Sequence, residues 1–112
     1  ARQLSVEFKT NVTGSLGKSL DISVYRILQE ILNNMIRHAK ASSIKINVHR
    51  EGNSLEISVQ DNGVGFQPEI LKDSKGMGWK SIFSRVSMLD GTIQLDSKLK
   101  EGTYVFIKLR LQ

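Results

Sequence analysis

The chain contains no cysteine, only one proline and no long apolar run. The lack of cysteine excludes a disulfide framework and a thiolate metal site, and it is compatible with the reducing cytoplasm, where we expect the protein. No apolar run approaches the roughly 20 residues that a membrane-spanning helix requires, and no signal-peptide pattern opens the chain. With 112 residues, 39% hydrophobic and 24% charged, the composition predicts one globular domain over residues 1–112.

Aromatic residues are few: one tryptophan, two tyrosines and four phenylalanines. Basic residues are in excess, with a net charge of +5 and an isoelectric point near 9.7. Such a balance suits an anionic partner such as nucleotide phosphates, nucleic acid or an acidic membrane, or simply a solvated basic surface. The basic residues are scattered and no aromatic platform alternates with arginines, which disfavours a binder of single-stranded nucleic acid.

Hydrophobic periodicity predicts two long helices and about five strands. Apolar residues recur at helical spacing from about Ser19 to Lys40 and again from Trp79 to Leu89. We expect Ser19 or Asp21 to cap the first helix, and a short helix to begin at Pro68. Alternating patterns predict strands at residues 4–8, 44–48, 55–60, 93–95 and 104–111. This order predicts an α+β fold, a two-layer sandwich with helices on one face of a mixed, mostly antiparallel sheet.

The most informative motif directly follows the strand at residues 55–60. It is the run Asp61-Asn62-Gly63-Val64-Gly65-Phe66. Two glycines one residue apart let the backbone adopt positive φ and approach a ligand closely. A buried carboxylate is costly unless a group donates to it, and the exocyclic amine of adenine would meet that need. By itself the run is more typical of an ordinary loop.

A polar stripe lies along one face of the first predicted helix. It consists of Glu30, Asn34 and His38, which are spaced four residues apart. A carboxylate and an amide oxygen one turn apart are hard ligands that suit Mg²⁺ when it also holds waters and phosphates. Arg37 and His38, near the end of the helix, would donate to phosphate or ribose oxygens. On spacing alone, the stripe is more typical of a solvated helix face.

A second glycine motif stands immediately before the second helix, as Lys75-Gly76-Met77-Gly78. The N-terminus of a helix presents free N–H groups and partial positive charge, so this segment is suited to bind phosphate. Its spacing matches neither the P-loop nor the dinucleotide fingerprint. A turn that merely begins a helix explains the motif as well.

Taken in order, these three elements resemble the GHKL ATPase superfamily. The segment Gln29-Glu30-Ile31-Leu32-Asn33-Asn34 followed by Arg37-His38-Ala39 is similar to the N box of the NarX- and DegS-like histidine kinases. The later similarity comprises Gly76-Met77-Gly78, Ser84-Arg85-Val86, Asp90-Gly91 and Glu101-Gly102-Thr103. The resemblance covers nearly the whole chain. Trp79 departs from it, because the family usually has a smaller aliphatic residue there.

For the base, the resemblance implies that Asp61 accepts a hydrogen bond from the adenine amine. Guanine would be excluded, because it carries a carbonyl at that position. Gly63 and Gly65 would let the backbone close over the ring, and Thr103 would support the base through a water. The implied fold is the Bergerat-type ATP-binding sandwich.

For the phosphates and the metal, the resemblance implies Asn34 as a Mg²⁺ ligand. Glu30 would be a catalytic carboxylate that joins the metal shell or orients a water, while Arg37 and His38 would contact phosphates and ribose. Lys75, Gly76 and Gly78 would hold the triphosphate. Residues 67–75 would form a short lid hinged at the two glycines.

The implied function is the catalytic ATP-binding domain of a two-component sensor histidine kinase. The phosphoacceptor histidine would lie on dimerisation helices absent from this chain, in a homodimeric parent that phosphorylates a response regulator. The domain by itself is expected to be a monomer that binds no nucleic acid. Two alternatives stay open, a degenerate nucleotide-binding module and a serine kinase of the anti-sigma type.

Overall fold

A computed structural model describes residues 3–67 and 78–111, which form a five-stranded sheet and two helices. The elements are β1 (Ser5–Thr10), α1 (Lys18–Arg37), β2 (Ser43–Glu51), β3 (Ser54–Asp61), α2 (Trp79–Met88), β4 (Thr92–Lys98) and β5 (Gly102–Arg110). The strand order is β1-β2-β3-β5-β4. The first pair is parallel and the other three pairs are antiparallel, which confirms the predicted α+β fold with a mixed sheet.

Helix α1 forms where the apolar residues recur at helical spacing, and its buried face consists of Val24, Ile27, Ile31 and Met35. The expected side-chain cap is wrong, because the helix begins after Gly17 and no side chain caps it. Asp21 lies in the first turn, where its carboxylate accepts hydrogen bonds from the Leu16 N–H at 2.9 Å and from the Ser15 hydroxyl. It therefore anchors the preceding loop and does not cap the helix.

The sheet buries one face, as its alternating sequence requires. Buried residues alternate with more exposed ones along β2, β3 and β5, and the buried set packs with the apolar faces of both helices. A turn at Gly52 and Asn53 joins β2 to β3. Among the described residues, neither helix is long and apolar enough to cross a bilayer. The short helix predicted from Pro68 lies outside the described residues.

The topology brings the ends of several elements together at one end of the sandwich. Asp61, the last residue of β3, pairs in register with Thr103 near the start of β5. Helix α1 ends and helix α2 begins nearby, since a Cβ on Gly78 would lie 3.2 Å from Asn34 Oδ1. Residues that are far apart in the sequence therefore meet around one cavity.

Candidate nucleotide-binding site

Asp61 is a buried carboxylate with one oxygen satisfied and one left without a partner. The side chain is only 3% exposed. Its Oδ1 atom accepts a hydrogen bond from the Gly63 N–H at 2.7 Å, whereas Oδ2 is buried and has no hydrogen-bond partner. Burial raises the pKa of this carboxyl above its ordinary value, and the backbone of Gly63 and Thr103 acts in the opposite sense. Oδ2 is thus an acceptor that awaits a donor.

The cavity at this carboxylate brings together five of the eleven residues that the sequence predicts for the site. Its wall includes Asn34, His38, Asp61, Gly65 and Thr103, together with Met35, Ala39, Phe66 and Trp79. The volume is about 10 Å³, which is room for about one water molecule. A purine base needs far more space, so it enters only if part of the wall moves.

Two aromatic side chains form the apolar part of that wall. The ring centroids of Phe66 and Trp79 are 6.2 Å apart and the rings are tilted by 43°. Trp79 is the first residue of α2 and is 2% exposed, so its indole is one of the largest fully buried groups. An aliphatic residue at this position would fill less of the space beside Asp61. The tryptophan, which stands where the family usually has a smaller aliphatic residue, therefore accounts for much of the small volume of the cavity.

Backbone on both sides holds the loop that follows Asp61. The Val64 N–H donates to the Ala39 carbonyl at 2.8 Å, and the Val64 carbonyl accepts from the Lys100 N–H at 2.6 Å. A Cβ on Gly63 would lie 2.2 Å from the Ala39 oxygen. Gly65 has a φ of +65°, and a Cβ there would lie 1.9 Å from the Lys98 oxygen. Both glycines are thus required by the approach of the protein's own backbone; their approach to a ligand stays a prediction.

Two polar residues that were not predicted from the sequence also hold the loop that follows Asp61. The Asn62 side-chain oxygen accepts hydrogen bonds from the N–H groups of Ser42 and Ser43 at 3.0 and 2.9 Å. The Ser97 hydroxyl accepts from the Phe66 N–H at 2.9 Å and lies 2.9 Å from the Thr103 hydroxyl. The signal for Ser97 was its register, since it is a polar residue at an inward position after Ile93 and Leu95.

The polar stripe of α1 carries further buried atoms without partners. The Asn34 Nδ2 atom is buried and unpaired. Glu30 accepts a hydrogen bond from Arg85 Nε at 3.0 Å on Oε1, while its Oε2 is buried with no partner. Oε2 of Glu30 and the side-chain oxygen of Asn34, one turn apart, fit a Mg²⁺ ion whose remaining ligands are waters and phosphates, whereas Asn34 Nδ2 is a hydrogen-bond donor and would not bind the ion. Among the described residues, no group of three or more histidine, cysteine, aspartate or glutamate side chains is placed to hold a metal ion.

The outcome differs among the remaining predicted site residues. His38 follows α1 as its C-cap and lines the cavity. Arg37 is exposed and does not line the cavity, so its proposed contact with phosphate stays a prediction. Gly78 precedes α2 with a φ of 80° and lies close to Asn34. Lys75, Gly76 and the lid predicted for residues 67–75 fall, apart from residue 67, outside the described residues.

The same fold occurs in solved histidine kinase structures. The blue-light activated histidine kinase of Erythrobacter litoralis EL346 superposes with a TM-score of 0.79 at 19% identity, over 99% of this chain and 36% of that one. The histidine kinase AdeS of Acinetobacter baumannii gives a TM-score of 0.77 at 21% identity, over 98% of this chain and 55% of AdeS. These likenesses show that the chain shares the α+β sandwich fold of those domains.

Sequence comparison defines the family. The profile of the histidine kinase-, DNA gyrase B- and HSP90-like ATPases matches residues 20–112. The chain is 30% identical over 98 residues to the histidine-protein kinase/phosphatase DegS of Bacillus subtilis (strain 168), covering 86% of the chain and 26% of DegS. It is 26% identical over 107 residues to the oxygen sensor histidine kinase NreB of Staphylococcus carnosus (strain TM300), covering 95% of the chain and 31% of NreB.

The chain therefore belongs to the histidine kinase-, DNA gyrase B- and HSP90-like ATPase family, as an ATP-binding catalytic domain of the type found in two-component sensor histidine kinases. It spans between about a quarter and a third of the length of DegS and NreB. The resemblance inferred from the three motifs is confirmed. The individual roles of the site residues stay predictions.

Proposed function

We propose that this domain binds Mg²⁺-ATP and presents the γ-phosphate to a histidine on the dimerisation helices of a parent kinase. The observation that carries the proposal is the unpartnered Oδ2 of Asp61 in the wall of a cavity. A buried charged acceptor without a donor is costly to keep, so its presence is best explained by a ligand that donates to it. The exocyclic amine of adenine is such a donor.

In this proposal each side of the site has its own task. Asp61 selects adenine, Thr103 supports the base, and Glu30 and Asn34 hold the metal. Bound Mg²⁺ would neutralise the charge that develops on the transferred phosphoryl group. The protein's own contribution is to hold the nucleotide in position and to keep water away from its base.

The acceptor histidine is assigned to a different part of the parent protein. His38 lines the nucleotide cavity, and His49 is an exposed strand residue 4.0 Å from the Glu51 carboxylate. Neither residue is on an exposed helix face that could receive a phosphoryl group from a nucleotide bound beside Asp61. A homodimeric parent in the cytoplasm that passes the phosphoryl group to a response regulator belongs to the same proposal.

A degenerate nucleotide-binding module is the second candidate, and the small cavity favours it. With about 10 Å³ of space and Trp79 in the wall, the site is closed to a base as it stands. Supplying the dimerisation helices of a related kinase and assaying for phosphohistidine would separate the two functions. Binding of ATP without any phosphohistidine would favour the degenerate module.

Calorimetric titration with ATP and GTP, each with and without Mg²⁺, tests the primary proposal. We expect ATP to bind more tightly in the presence of Mg²⁺ and GTP to give no detectable heat. Equal affinity for the two nucleotides would contradict the role of Asp61. ATP binding that is indifferent to Mg²⁺ would contradict the roles of Glu30 and Asn34.

A further inference from the structure

Arg85 joins helix α2 to the polar stripe of α1. Its Nε atom donates to Glu30 Oε1 at 3.0 Å, and the two side chains are 37% and 29% exposed. The contact is therefore partly shielded from water, where a charge-assisted hydrogen bond orients its partner more firmly than on an open surface. In the sequence, Arg85 is only part of a segment that resembles the family, and the resemblance implied no role for its side chain.

The geometry of the pair leaves half of the carboxylate free. An arginine and a carboxylate that serve only to join two helices gain most by pairing through both oxygens. Here Arg85 engages Oε1 while Oε2 is buried and has no hydrogen-bond partner. One turn along the helix, the Nδ2 of Asn34 is also buried and unpaired, and Asn34 lines the cavity that contains Asp61. Glu30, which forms the ion pair, and Asn34, which lines the cavity, are thus neighbours one turn apart on α1.

We propose that Arg85 is a positioning residue, which holds one oxygen of Glu30 so that the other is presented to the Mg²⁺ ion bound with the nucleotide. This inference rests on the proposed function, in which Glu30 and Asn34 hold that ion. Arg85 itself contacts neither the nucleotide nor the metal. Arg85 is on α2, and the same helix begins with Trp79, directly after Gly78. One helix therefore contributes to both the metal side and the base side of the site.

The test is a double-substitution cycle on the Mg²⁺ dependence of ATP binding. The measured quantity is the ratio of the ATP dissociation constants without and with Mg²⁺, determined by calorimetry for the unsubstituted domain, Arg85→Lys, Glu30→Gln and the double variant. Lysine keeps the charge and the long stem but lacks the guanidinium fork, so it disturbs the orientation more than the packing. Lys108→Ala is the matched control, because it removes a positive charge from an exposed position on β5.

Loss of a group that orients a metal ligand commonly lowers metal affinity by about 10- to 100-fold. We expect Arg85→Lys to lower the Mg²⁺ ratio by about tenfold. The dissociation constant without Mg²⁺ should stay within about twofold, and Lys108→Ala should change neither value. In the Glu30→Gln background, Arg85→Lys should have no further effect on the ratio, because the carboxylate that it orients is already gone.

The outcomes that contradict the inference differ from those that contradict the proposed function. A lowered melting temperature with an unchanged Mg²⁺ ratio in Arg85→Lys would reduce the pair to a structural tie between the helices. Independent, multiplying effects of the two substitutions would show that Arg85 acts directly on the phosphates. Absence of ATP binding or of any Mg²⁺ dependence in the unsubstituted domain would refute the proposed function, and this inference with it.

Discussion

Replacing Asp61 with asparagine separates what this residue does for the fold from what it does for the ligand. In the unliganded domain, Oδ2 of Asp61 is a buried acceptor without a donor, and such a group costs roughly 1–3 kcal/mol. Asparagine keeps the side-chain oxygen that accepts from the Gly63 N–H and removes the buried charge. We expect the free energy of unfolding at pH 7 to stay unchanged or to rise by about 1 kcal/mol.

The same substitution should strongly weaken ATP binding. In the proposed complex, Asp61 would accept on both oxygens, from the Gly63 N–H on one side and from the adenine amine on the other. Asparagine can accept on only one side, so in either orientation of its amide one N–H₂ group meets another donor. Loss of a hydrogen bond to a charged group costs about 1.5–3 kcal/mol, which raises the dissociation constant about 10- to 150-fold.

The pH dependence supplies an independent check on the fold. Burial raises the pKa of Asp61 above its ordinary value of 3.8, so the folded state holds the proton more tightly than the unfolded chain. The free energy of unfolding therefore falls as the pH rises from 3.8 through the raised pKa of the folded state, and this contribution is constant above it. In Asp61→Asn this dependence should vanish. The difference in stability between the two proteins should grow over that pH window.

Urea denaturation at several pH values and calorimetry with ATP make both measurements. Asp96→Asn, at an exposed position on β4, is the control for removing a carboxylate that has no buried environment. A stable Asp61→Asn domain with undiminished ATP affinity would refute the adenine assignment. A domain destabilised by more than about 1 kcal/mol at pH 7 would show that the carboxylate supports the fold, contrary to the cost of its unpaired oxygen.

Two further predictions concern the wall of the cavity and the loop beside it. Because Trp79 is the only tryptophan and is buried in the cavity wall, saturating ATP should shift its fluorescence, and Trp79→Leu should bind ATP at least as tightly as the unsubstituted domain; an unchanged emission spectrum on ATP binding would show that the indole stays in place. Gly65→Ala should destabilise the domain by more than Gly14→Ala in urea denaturation, because both glycines have positive φ but only Gly65 would place a Cβ against backbone. The Gly14 variant should lose about 1–2 kcal/mol from conformation alone, and equal losses at the two positions would mean that the Lys98 backbone gives way.

The fold was predictable because it is specified by periodicity. Buried residues recur at helical spacing along α1 and alternate along β2, β3 and β5, and each pattern is readable without knowledge of the partner element. The capping of α1 was mispredicted, because whether Asp21 caps the helix or reaches back to the loop depends on Gly17. Nothing in the sequence of β1 states that it pairs in parallel with β2, since the direction follows from the long connection through α1.

The sequence predicted several of the residues that form the site, but it did not predict the size of the cavity. The motifs indicated Asp61 and Asn34, the family resemblance implied Thr103, and the structure brings the three residues to one cavity. Ser97 was missed because a serine in a strand carries no signal until its register places it opposite Thr103. The size of the cavity was equally unreadable, because it depends on how the indole of Trp79 packs against Phe66.

The glycines of the loop between β3 and the cavity have a consequence for inhibitors of this domain. A compound that mimics adenine would donate its main hydrogen bond to Asp61, next to a loop whose glycine positions face backbone and tolerate no larger side chain. A substitution at the glycines of that loop would unfold the protein. A substitution of Asp61 would, in the proposed complex, weaken binding of the natural nucleotide as well. Trp79 lies outside that loop, at the start of α2, and has no polar role in the proposed complex, so drug-resistant variants are expected to arise first at Trp79.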